Sequence, residues 1–471
     1  MANEIRFGTD GWRALIADEF TFENVARCAQ GLADFLKGRG TAAQGLVVGY
    51  DTRFLSRNFA ETVAGVGAAN GVKVYLCRKA APTPAISFNV LHLRAAAAAI
   101  ITASHNAAVW NGFKFKPEYA GSATQEITDQ LEAAIRAAGE PRSVPLDRAR
   151  DEGLVVDIDP DPPYLQRIGE LIDLRAIREA GLTVLVDAMF GAGGGYIPGL
   201  VSGGATTVEE MHGQPNPAFP GMEQPEPIAH NLASLIERVK AGGLSVGLAL
   251  DGDADRVGLV DERGRFVTTL EVFSLLALYL LEAKGQRGPL VKSVTSSMMI
   301  NKLGSKFNVD VHEMGVGFKN IGPKMSQVDA LMAGEESGGF AFRGHIPERD
   351  GILSGLYLLE YMARTGKTPS QLLDGLFGQV GPHYFNRRDV SFNPQDRERI
   401  EQRLLSGELK ELAGLPVRGS DLIDGRRLIF EDAWLASRFS GTEPLLRIYV
   451  EADRPEKVQN LLDAAVEYLG V

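Results

Sequence analysis

The chain has 471 residues and carries 49 Lys and Arg against 60 Asp and Glu, a formal net charge of −11. Hydrophobic residues make up 45% and charged residues 23%, proportions typical of a folded globular protein. An acidic balance without a basic run argues against nucleic-acid binding, and two lone cysteines argue against a disulfide framework. With no signal-like N-terminus and no long apolar run, we expect a cytoplasmic protein that does not associate with membranes.

Strand and helix patterns alternate along the first third of the chain. Apolar runs predict strands at 45–51, 72–77 and 95–102, and helical periodicity predicts helices at 56–71 and 123–139. Strands that alternate with helices are typical of α/β architecture. The polar stretch 140–153 then marks a first domain boundary.

The same alternation restarts after this boundary and changes near the end. Strands are predicted at 182–189, 244–251 and 288–297, and helices at 270–285 and 351–366. The last hundred residues contain three strand patterns and a closing helix. We therefore expect three α/β units and a smaller α+β unit, with boundaries at 1–145, 146–261, 262–368 and 369–471.

The segment DGDADR, residues 251–256, gives the strongest local signal. Asp251, Asp253 and Asp255 follow an apolar strand at alternate positions, and on a tight loop their carboxylates can converge on one hard cation. Oxygen ligands of this kind suit Mg²⁺. A solvated acidic turn is the plain alternative. An EF-hand calcium loop is rejected, because Arg256 replaces its obligatory glycine.

The segment TASHN, residues 102–106, ends a strand-like run with Ser104 beside His105. A serine hydroxyl is a weak nucleophile unless it is activated or already carries a group to transfer. A phosphoryl group on Ser104 would offer an oxygen to a magnesium ion held by the aspartates, and the ion would neutralise charge during transfer. His105 is an acid–base candidate or simply orients the loop. An isolated serine, by contrast, is most often a helix cap or turn residue.

Ten residues after Ser104, the segment NGFKFK supplies Lys114 and Lys116. A lysine near a phosphoserine can offset its charge or, with a lowered pKa, move a proton. The alternative is a pair of ordinary surface lysines at alternate strand positions.

Two later loops fit the binding of a sugar and a phosphate. GEESGGF, residues 334–340, combines acceptors for neighbouring sugar hydroxyls, Glu335 and Ser337, with glycines that permit close approach. SRFSGTEP, residues 437–444, combines an arginine that forks onto phosphate with N–H groups of a turn. The phosphate candidates are Arg438, Ser440, Gly441, Thr442 and, on the next strand, Arg447. A glycine loop and a strand–turn–strand are the plain alternatives.

These four segments, in this order and spacing, resemble the motifs of the α-D-phosphohexomutase superfamily, and the opening FGTDGWR, residues 7–13, resembles its N-terminal motif. The resemblance covers essentially the whole chain. It implies three similar mixed-sheet α/β domains and a C-terminal domain like the TATA-binding protein, arranged around a central cleft. It also implies a resting phosphoserine, Mg²⁺ and a hexose phosphate substrate.

The resemblance also implies a role for each motif residue. Ser104 resembles the phosphorylated serine, and the three aspartates, with Ser104, resemble the metal ligands. Lys114 is similar to the proposed general acid/base, and Arg13 matches a position close to the reacting phosphate. The implied substrate contacts are Glu335, Ser337, Lys319, Arg256, Arg438, Ser440, Gly441 and Thr442.

Departures from the family pattern favour glucose as the sugar. Phosphomannomutase-like members and many relatives carry a histidine where this chain has Gly339, and Val316 replaces another frequent histidine. GVGFK, which contains Lys319, and HIPERDG, residues 345–351, resemble phosphoglucomutases. The chain is therefore predicted to be a phosphoglucomutase that interconverts glucose 1-phosphate and glucose 6-phosphate through glucose 1,6-bisphosphate. Phosphomannomutase and phosphoglucosamine mutase are the alternatives, followed by a non-catalytic sugar-phosphate sensor and an aspartyl phosphatase. Trp12 weakens the glucosamine alternative. We expect a monomer or homodimer.

Overall fold

The structure is a computed structural model, and it describes residues 5–8, 10–405, 409–439 and 445–471. The described chain forms four principal sheets that follow one another along the sequence, together with one small two-stranded sheet. Within these residues, no helix combines the length and apolar character that crossing a membrane requires.

The first sheet has six strands in the order β1-β5-β4-β2-β3-β6. Strand β2 pairs in parallel with β3 and β4, and β5 runs antiparallel to both β4 and β1, so the sheet is mixed. Its strands are β1 (Trp12–Leu15), β2 (Leu46–Tyr50), β3 (Val74–Cys77), β4 (Ala97–Ile101), β5 (Trp110–Pro117) and β6 (Val155–Ile158). Its helices are α1 (Phe22–Gly38), α2 (Ser56–Ala69), α3 (Thr83–Leu93), α4 (Gln125–Ala137) and α5 (Leu146–Asp151).

The second sheet has five strands in the order β11-β10-β9-β7-β8, and β10 is antiparallel to its neighbours. The strands are β7 (Thr183–Asp187), β8 (Thr207–Met211), β9 (Val246–Leu250), β10 (Val257–Val260) and β11 (Phe266–Val267). The helices over this part of the chain are α6 (Asp161–Leu171), α7 (Leu174–Glu179), α8 (Tyr196–Val201) and α9 (Ala233–Lys240).

The third sheet has four strands in the order β13-β12-β14-β15, with β15 antiparallel to β14. The strands are β12 (Leu290–Ser293), β13 (Val311–Met314), β14 (Met332–Gly334) and β15 (Phe340–Phe342). The helices are α10 (Thr269–Leu278), α11 (Met298–Phe307), α12 (Phe318–Gln327), α13 (Gly351–Thr365) and α14 (Pro369–Val380). A capping box of Thr268 and Glu271 starts α10, and a π-helical turn over Tyr279–Ala283 follows it, where the sequence predicted one continuous helix.

The fourth sheet is antiparallel in the order β16-β22-β21-β20-β19. Its strands are β16 (Tyr384–Ser391), β19 (Gly419–Asp421), β20 (Arg426–Phe430), β21 (Ala433–Phe439) and β22 (Leu445–Ala452), and the pair β17 (Glu411–Leu412) and β18 (Leu415–Pro416) lies apart. The helices are α15 (Arg397–Leu405) and α16 (Pro455–Leu469). The predicted class, mixed α/β units followed by an α+β unit, is confirmed.

Two sheets extend past the predicted domain boundaries at residues 145 and 261. Strand β6 pairs with β3 in the first sheet, and β11 pairs with β10 in the second. The polar stretch 140–153 suggested a linker, but it contains the helix α5, which packs on α2 through buried Ala149. The segment 140–158 therefore belongs to the first unit.

One apolar core joins the second and third units. It includes Leu248 of β9, Leu276 of α10, Met332 of β14 and Leu356 of α13, all fully buried. Burial of apolar surface contributes about 25 cal/mol per Å², so a shared core of this size opposes separation of the two units. The loops that follow β4, β9 and β14 carry the predicted serine, the three aspartates and the pair Glu335 and Ser337.

Candidate active site

Ser104 lies in the loop after β4, and its hydroxyl contacts the aspartate cluster. Ser104 Oγ donates to Asp251 Oδ2 over 2.9 Å, which joins residues 147 positions apart. The serine is buried and has a φ of +53°, in the left-handed region that few side chains adopt. A Cβ at Gly252 would lie 2.5 Å from the Ser104 carbonyl oxygen, so only glycine allows the two loops to approach this closely.

Arg53 holds the backbone of the serine loop, and the sequence did not point to it. Its guanidinium donates to the carbonyl oxygens of Ser104, Ala107 and Trp110 over 2.6, 2.9 and 3.1 Å. It also pairs with buried Asp51 at 3.2 Å. A guanidinium with five donors can satisfy several carbonyls of one loop, which explains how the strained backbone is kept in place. The feature of the sequence that could have pointed to Arg53 is an arginine three residues after the end of a buried strand, β2.

The three aspartates form a group that can hold a metal ion. Asp251, Asp253 and Asp255 are fully buried, and they offer ligand oxygens that lie within 4.8 Å of one another. Burial and the negative charges of Asp255 and Asp253 hold the pKa of Asp251 well above its ordinary value. Among the described residues, Asp253 Oδ1 and Asp255 Oδ1 have no hydrogen-bond partner. Buried oxygens without partners and three converging carboxylates fit a divalent cation such as Mg²⁺.

Lys114 is buried and lies among carboxylates, so the alternative of a surface lysine is wrong. Its Nζ lies 2.8 Å from Asp253, 3.2 Å from Asp255 and 2.9 Å from Asp10. Burial alone would lower the pKa of Lys114, but Asp10, Asp253 and Asp255 raise it above its ordinary value. Burial likewise opposes ionisation of Asp253, and Lys114 nevertheless lowers the pKa of that carboxyl. Lys114 is therefore a cation in this arrangement, and its raised pKa favours charge compensation over the proton transfer that a lowered pKa would permit.

Lys116, at the next inward position of β5, is also buried. Its Nζ contacts Asp10 at 2.7 Å and Glu348 at 2.6 Å, and Glu348 belongs to the segment between β15 and α13. Lys116 thus links the first unit to the third rather than reaching the aspartate cluster.

Arg349 connects three loops of the site, although the sequence did not assign it a role. Its terminal nitrogens contact Asp10 at 2.7 Å, Asp255 at 3.0 Å and Glu335 at 3.5 Å. These carboxylates belong to the first, second and third units. Burial opposes the charge, but Asp255 and Glu348 raise the pKa of Arg349 well above its ordinary value, so the residue is a permanent cation.

His105 and Arg256 flank the serine. His105 Nδ1 lies 3.4 Å from Ser104 Oγ, and burial, with Arg256 next, holds the pKa of His105 well below its ordinary value. The Arg256 side chain donates to Glu226 over 2.7 Å, and its backbone N–H donates to Asp251 over 3.0 Å. His105 is therefore neutral at pH 7, and Arg256 is a cation next to the cluster.

Arg13 and Lys319 are two further cations that the resemblance implied. Arg13 donates to the Asn106 side-chain oxygen over 2.6 Å, which attaches it to the serine loop. Lys319, at the start of α12, donates to Gln125 of the first unit over 3.0 Å. The structure brings Arg13 to the serine loop and gives Lys319 a contact between the first and third units.

Glu335 and Ser337 face each other in the loop after β14. Ser337 Oγ donates to Glu335 Oε1 over 3.0 Å, and the backbone N–H of Gly317 donates to Oε2 over 3.1 Å. Arg349 links this pair to Asp255 of the aspartate cluster. One arginine thus separates the predicted hydroxyl-binding pair from the aspartate cluster.

Arg438 and Arg447 are opposite each other on β21 and β22. Arg438 Nε donates to Asp424 Oδ1 over 3.0 Å, and Arg447 lies 3.7 Å from Asp389. The other predicted members of the phosphate loop lie outside the described residues, namely Ser440, Gly441 and Thr442. The two arginines form a basic pair on one face of the fourth sheet.

The four domain models of the phosphoglucomutase/phosphomannomutase family match the chain in order. The α/β/α domain I matches residues 4–142, domain II residues 162–264, domain III residues 270–380 and the C-terminal domain residues 402–467. The chain belongs to this family. Membership confirms the superfamily that the motifs resemble, and it makes the chain a phosphohexomutase, an isomerase.

Relatives extend over nearly the whole length of the chain. A phosphoglucomutase/phosphomannomutase from Thermococcus kodakarensis is 31% identical, with 98% of each chain covered. A probable phosphoglucosamine mutase from Methanothermobacter thermautotrophicus is 30% identical over 98% of this chain and 97% of its own. The crystal structure of a putative phosphomannomutase from Thermus thermophilus superposes with a TM-score of 0.87 at 36% identity, with both chains fully covered. The names of these relatives differ in the sugar, so they do not decide it.

Proposed function

We propose that this phosphohexomutase interconverts glucose 1-phosphate and glucose 6-phosphate through a phosphoserine at Ser104 and a glucose 1,6-bisphosphate intermediate. The observation that carries the proposal is the contact of Ser104 Oγ with Asp251, inside a buried set of three aspartates. Three carboxylates beside a serine hydroxyl repel one another unless a cation lies between them. The same arrangement suits a phosphorylated serine that shares a Mg²⁺ ion with the aspartates.

Ser104, when phosphorylated, gives its phosphoryl group to the free hydroxyl of the bound sugar phosphate. The bisphosphate turns around, and Ser104 takes the group at the other end of the sugar. Asp251, Asp253 and Asp255, with an oxygen on Ser104, would hold Mg²⁺, which supplies charge neutralisation to the transferring group. Added glucose 1,6-bisphosphate would therefore act as an activator that rephosphorylates the serine.

The remaining residues receive roles that follow from their charge and contacts. Lys114 is a cation among three carboxylates, so its contacts support a role in neutralising the charge of the phosphoserine, and its role as general acid/base rests on the family resemblance alone. Neutral His105 orients the serine, and Arg13 positions the loop near the phosphate.

We assign the sugar hydroxyls to Glu335 and Ser337, and the remaining cations to the two ends of the substrate. Arg256 and Lys319 are proposed to contact the bound substrate. Arg438 and Arg447, with Ser440, Gly441 and Thr442, are proposed to bind the phosphate that does not react. Because either end of the sugar must fit the same phosphate loop, one site serves both half-reactions.

The preference for glucose rests on two positions in the third unit. By the family resemblance, Gly339 stands where phosphomannomutase-like members carry a histidine and Val316 replaces another frequent histidine, so the proposed sugar pocket lacks two donors. Mannose and glucosamine phosphates are the alternative substrates. We further propose a cytoplasmic enzyme that acts as a monomer or homodimer.

The test is a panel of glucose, mannose and glucosamine 1-phosphates with each product identified. We expect the highest kcat/KM for glucose 1-phosphate, and an intact mass that includes one phosphate. Ser104→Ala is expected to lose nearly all turnover and the phosphate while melting like wild type, whereas the exposed-serine control Ser202→Ala keeps both. Wild-type rates in Ser104→Ala would refute the nucleophile, and release of inorganic phosphate in place of an isomer would indicate a phosphatase.

A further inference from the structure

Asp424 lies between the phosphate candidate Arg438 and a loop of the third unit. Its Oδ1 accepts a hydrogen bond from Arg438 Nε over 3.0 Å, and its Oδ2 accepts one from the backbone N–H of Val316 over 2.9 Å. Asp424 belongs to the turn that joins β19 to β20, and Val316 belongs to the turn between β13 and α12. The two oxygens of one carboxylate therefore bind two different units.

The next residue in the same loop contacts the sugar pair. The backbone N–H of Gly317 donates to Glu335 Oε2 over 3.1 Å, and Ser337 donates to the other oxygen over 3.0 Å. A continuous path of hydrogen bonds and one peptide unit thus runs from Arg438 through Asp424 to Glu335. Both ends of this path have been assigned above to the substrate.

The turn that carries Asp424 approaches β21 so closely that its next residue must be glycine. Gly425 has a φ of +72°, and a Cβ there would lie 2.2 Å from the Ser437 carbonyl oxygen and 2.9 Å from the Cα of Arg438. No side chain fits at either distance. Backbone packing, independently of the ion pair, therefore fixes the carboxylate next to Arg438.

We propose that Asp424 is a positioning residue that couples the phosphate arginine of the fourth unit to the sugar-binding carboxylate of the third. The proposal rests on the function proposed above for Arg438 and Glu335. A guanidinium bound through Nε presents its two terminal nitrogens for a forked contact with phosphate. At the same time, the bond to Val316 fixes the turn whose next N–H orients Glu335.

Two substitutions separate the two halves of this role. Asp424→Asn keeps an oxygen for the Val316 N–H but turns an amide NH₂ toward Arg438, so the phosphate half is lost and the sugar half is kept. Asp424→Ala removes both. The matched control is Asp421→Asn, because Asp421 lies next to the same turn but pairs with Arg427 at 2.8 Å.

The kinetic measurement compares KM and sugar discrimination in these variants. In Asp424→Asn, KM for glucose 1-phosphate should rise about tenfold while the glucose-to-mannose ratio of kcat/KM stays at its wild-type value. In Asp424→Ala, KM should rise as much and the ratio should also fall, by about fivefold. Asp421→Asn should stay within about twofold of wild type in both. A wild-type KM in Asp424→Ala, or an equal loss of discrimination in Asp424→Asn, would overturn the proposal.

A binding measurement separates this proposal from the proposed function. Inorganic phosphate is titrated calorimetrically into Ser104→Ala and into the same chain with Asp424→Ala added, which requires no turnover. About tenfold weaker binding with the second substitution supports the role of Asp424, and equal affinity overturns it, whatever the sugar proves to be. Gly425→Ala, which displaces the turn but leaves the carboxylate, is expected to weaken phosphate binding as Asp424→Ala does. Wild-type phosphate affinity in Gly425→Ala would also count against the proposal.

Discussion

Replacing Arg349 by methionine removes a cation that three loops of the site share. The side chain is 6% exposed and contacts four carboxylates, Asp10 at 2.7 Å, Asp255 at 3.0 Å, Glu348 at 3.1 Å and Glu335 at 3.5 Å. Methionine fills much of the same space without charge. The substitution therefore leaves the carboxylates in place and removes their common partner.

The expected loss of stability depends on which carboxylates retain another cationic partner. Asp10 and Glu348 retain Lys116, and Asp255 retains Lys114 at 3.2 Å. Among the described residues, Glu335 has no other ion pair. Breaking a buried pair costs about 3–5 kcal/mol, and with only one carboxylate fully uncompensated we expect about 3 kcal/mol. For domains of this size, that loss lowers Tm by on the order of 10 °C.

Differential scanning calorimetry of wild type and Arg349→Met measures this shift. Arg349→Lys should fall between them, because it restores the charge but not the forked geometry. The control is Arg175→Met, since Arg175 pairs with Glu179 on an exposed helix and should cost less than about 0.5 kcal/mol. If Arg349→Met melts within about 2 °C of wild type, the buried network does not hold the units together and the reasoning fails.

Two further substitutions test separate parts of the molecule. Asp253→Asn removes one proposed metal ligand and the closest partner of Lys114. The magnesium concentration for half-maximal activity should therefore rise at least about tenfold. An unchanged metal titration would count against the aspartate site. Burial alone would raise the pKa of Glu313, but Lys292 and Arg427 lower it to about 2, below its ordinary value of 4.5. The stability that Glu313 contributes, on the order of 3 kcal/mol, is therefore present above about pH 4.5 and is lost as pH falls toward 2. Glu313→Gln should melt below wild type at pH 7, and the gap should fall to less than about half on acidification to about pH 3; a gap that stays constant would contradict the ion pair.

The sequence predicted best those elements whose own residues determine their environment. Strand β4 is a continuous apolar run because it is buried on both faces, and α4 has a Thr124 cap and an apolar stripe. The edge strands β8 and β13 read TVEEM and VHEM, and neither gave a strand signal. Their positions depend on the neighbouring strands β7 and β12, and pairing partners of this kind cannot be inferred from a window of residues.

The same distinction applies to the residues of the candidate site. The three aspartates sit in a short motif whose spacing indicates a cation site, and Ser104 was identified because its segment resembles a family motif. Arg349 and Arg53 act through partners far away in the chain, since Arg349 and Asp10 are 339 positions apart. A charged residue inside a motif gives no sign of which distant carboxylate it meets, and the burial of Lys114 and Lys116 was equally invisible, because alternate lysines on a strand read as a solvated face.

Charge compensation within the site also crosses the boundaries between units. Asp10 and Lys114 come from the first unit, Asp255 from the second and Arg349 from the third, and all four are buried. Any one of these units alone would carry its charges without their partners. A buried ion without a partner costs several kcal/mol. Well-packed apolar residues would join the units at least as firmly. The proposed function accounts for this charged junction, because a site that binds two phosphates needs fixed cations, and those cations need carboxylates to hold them when the substrate has left.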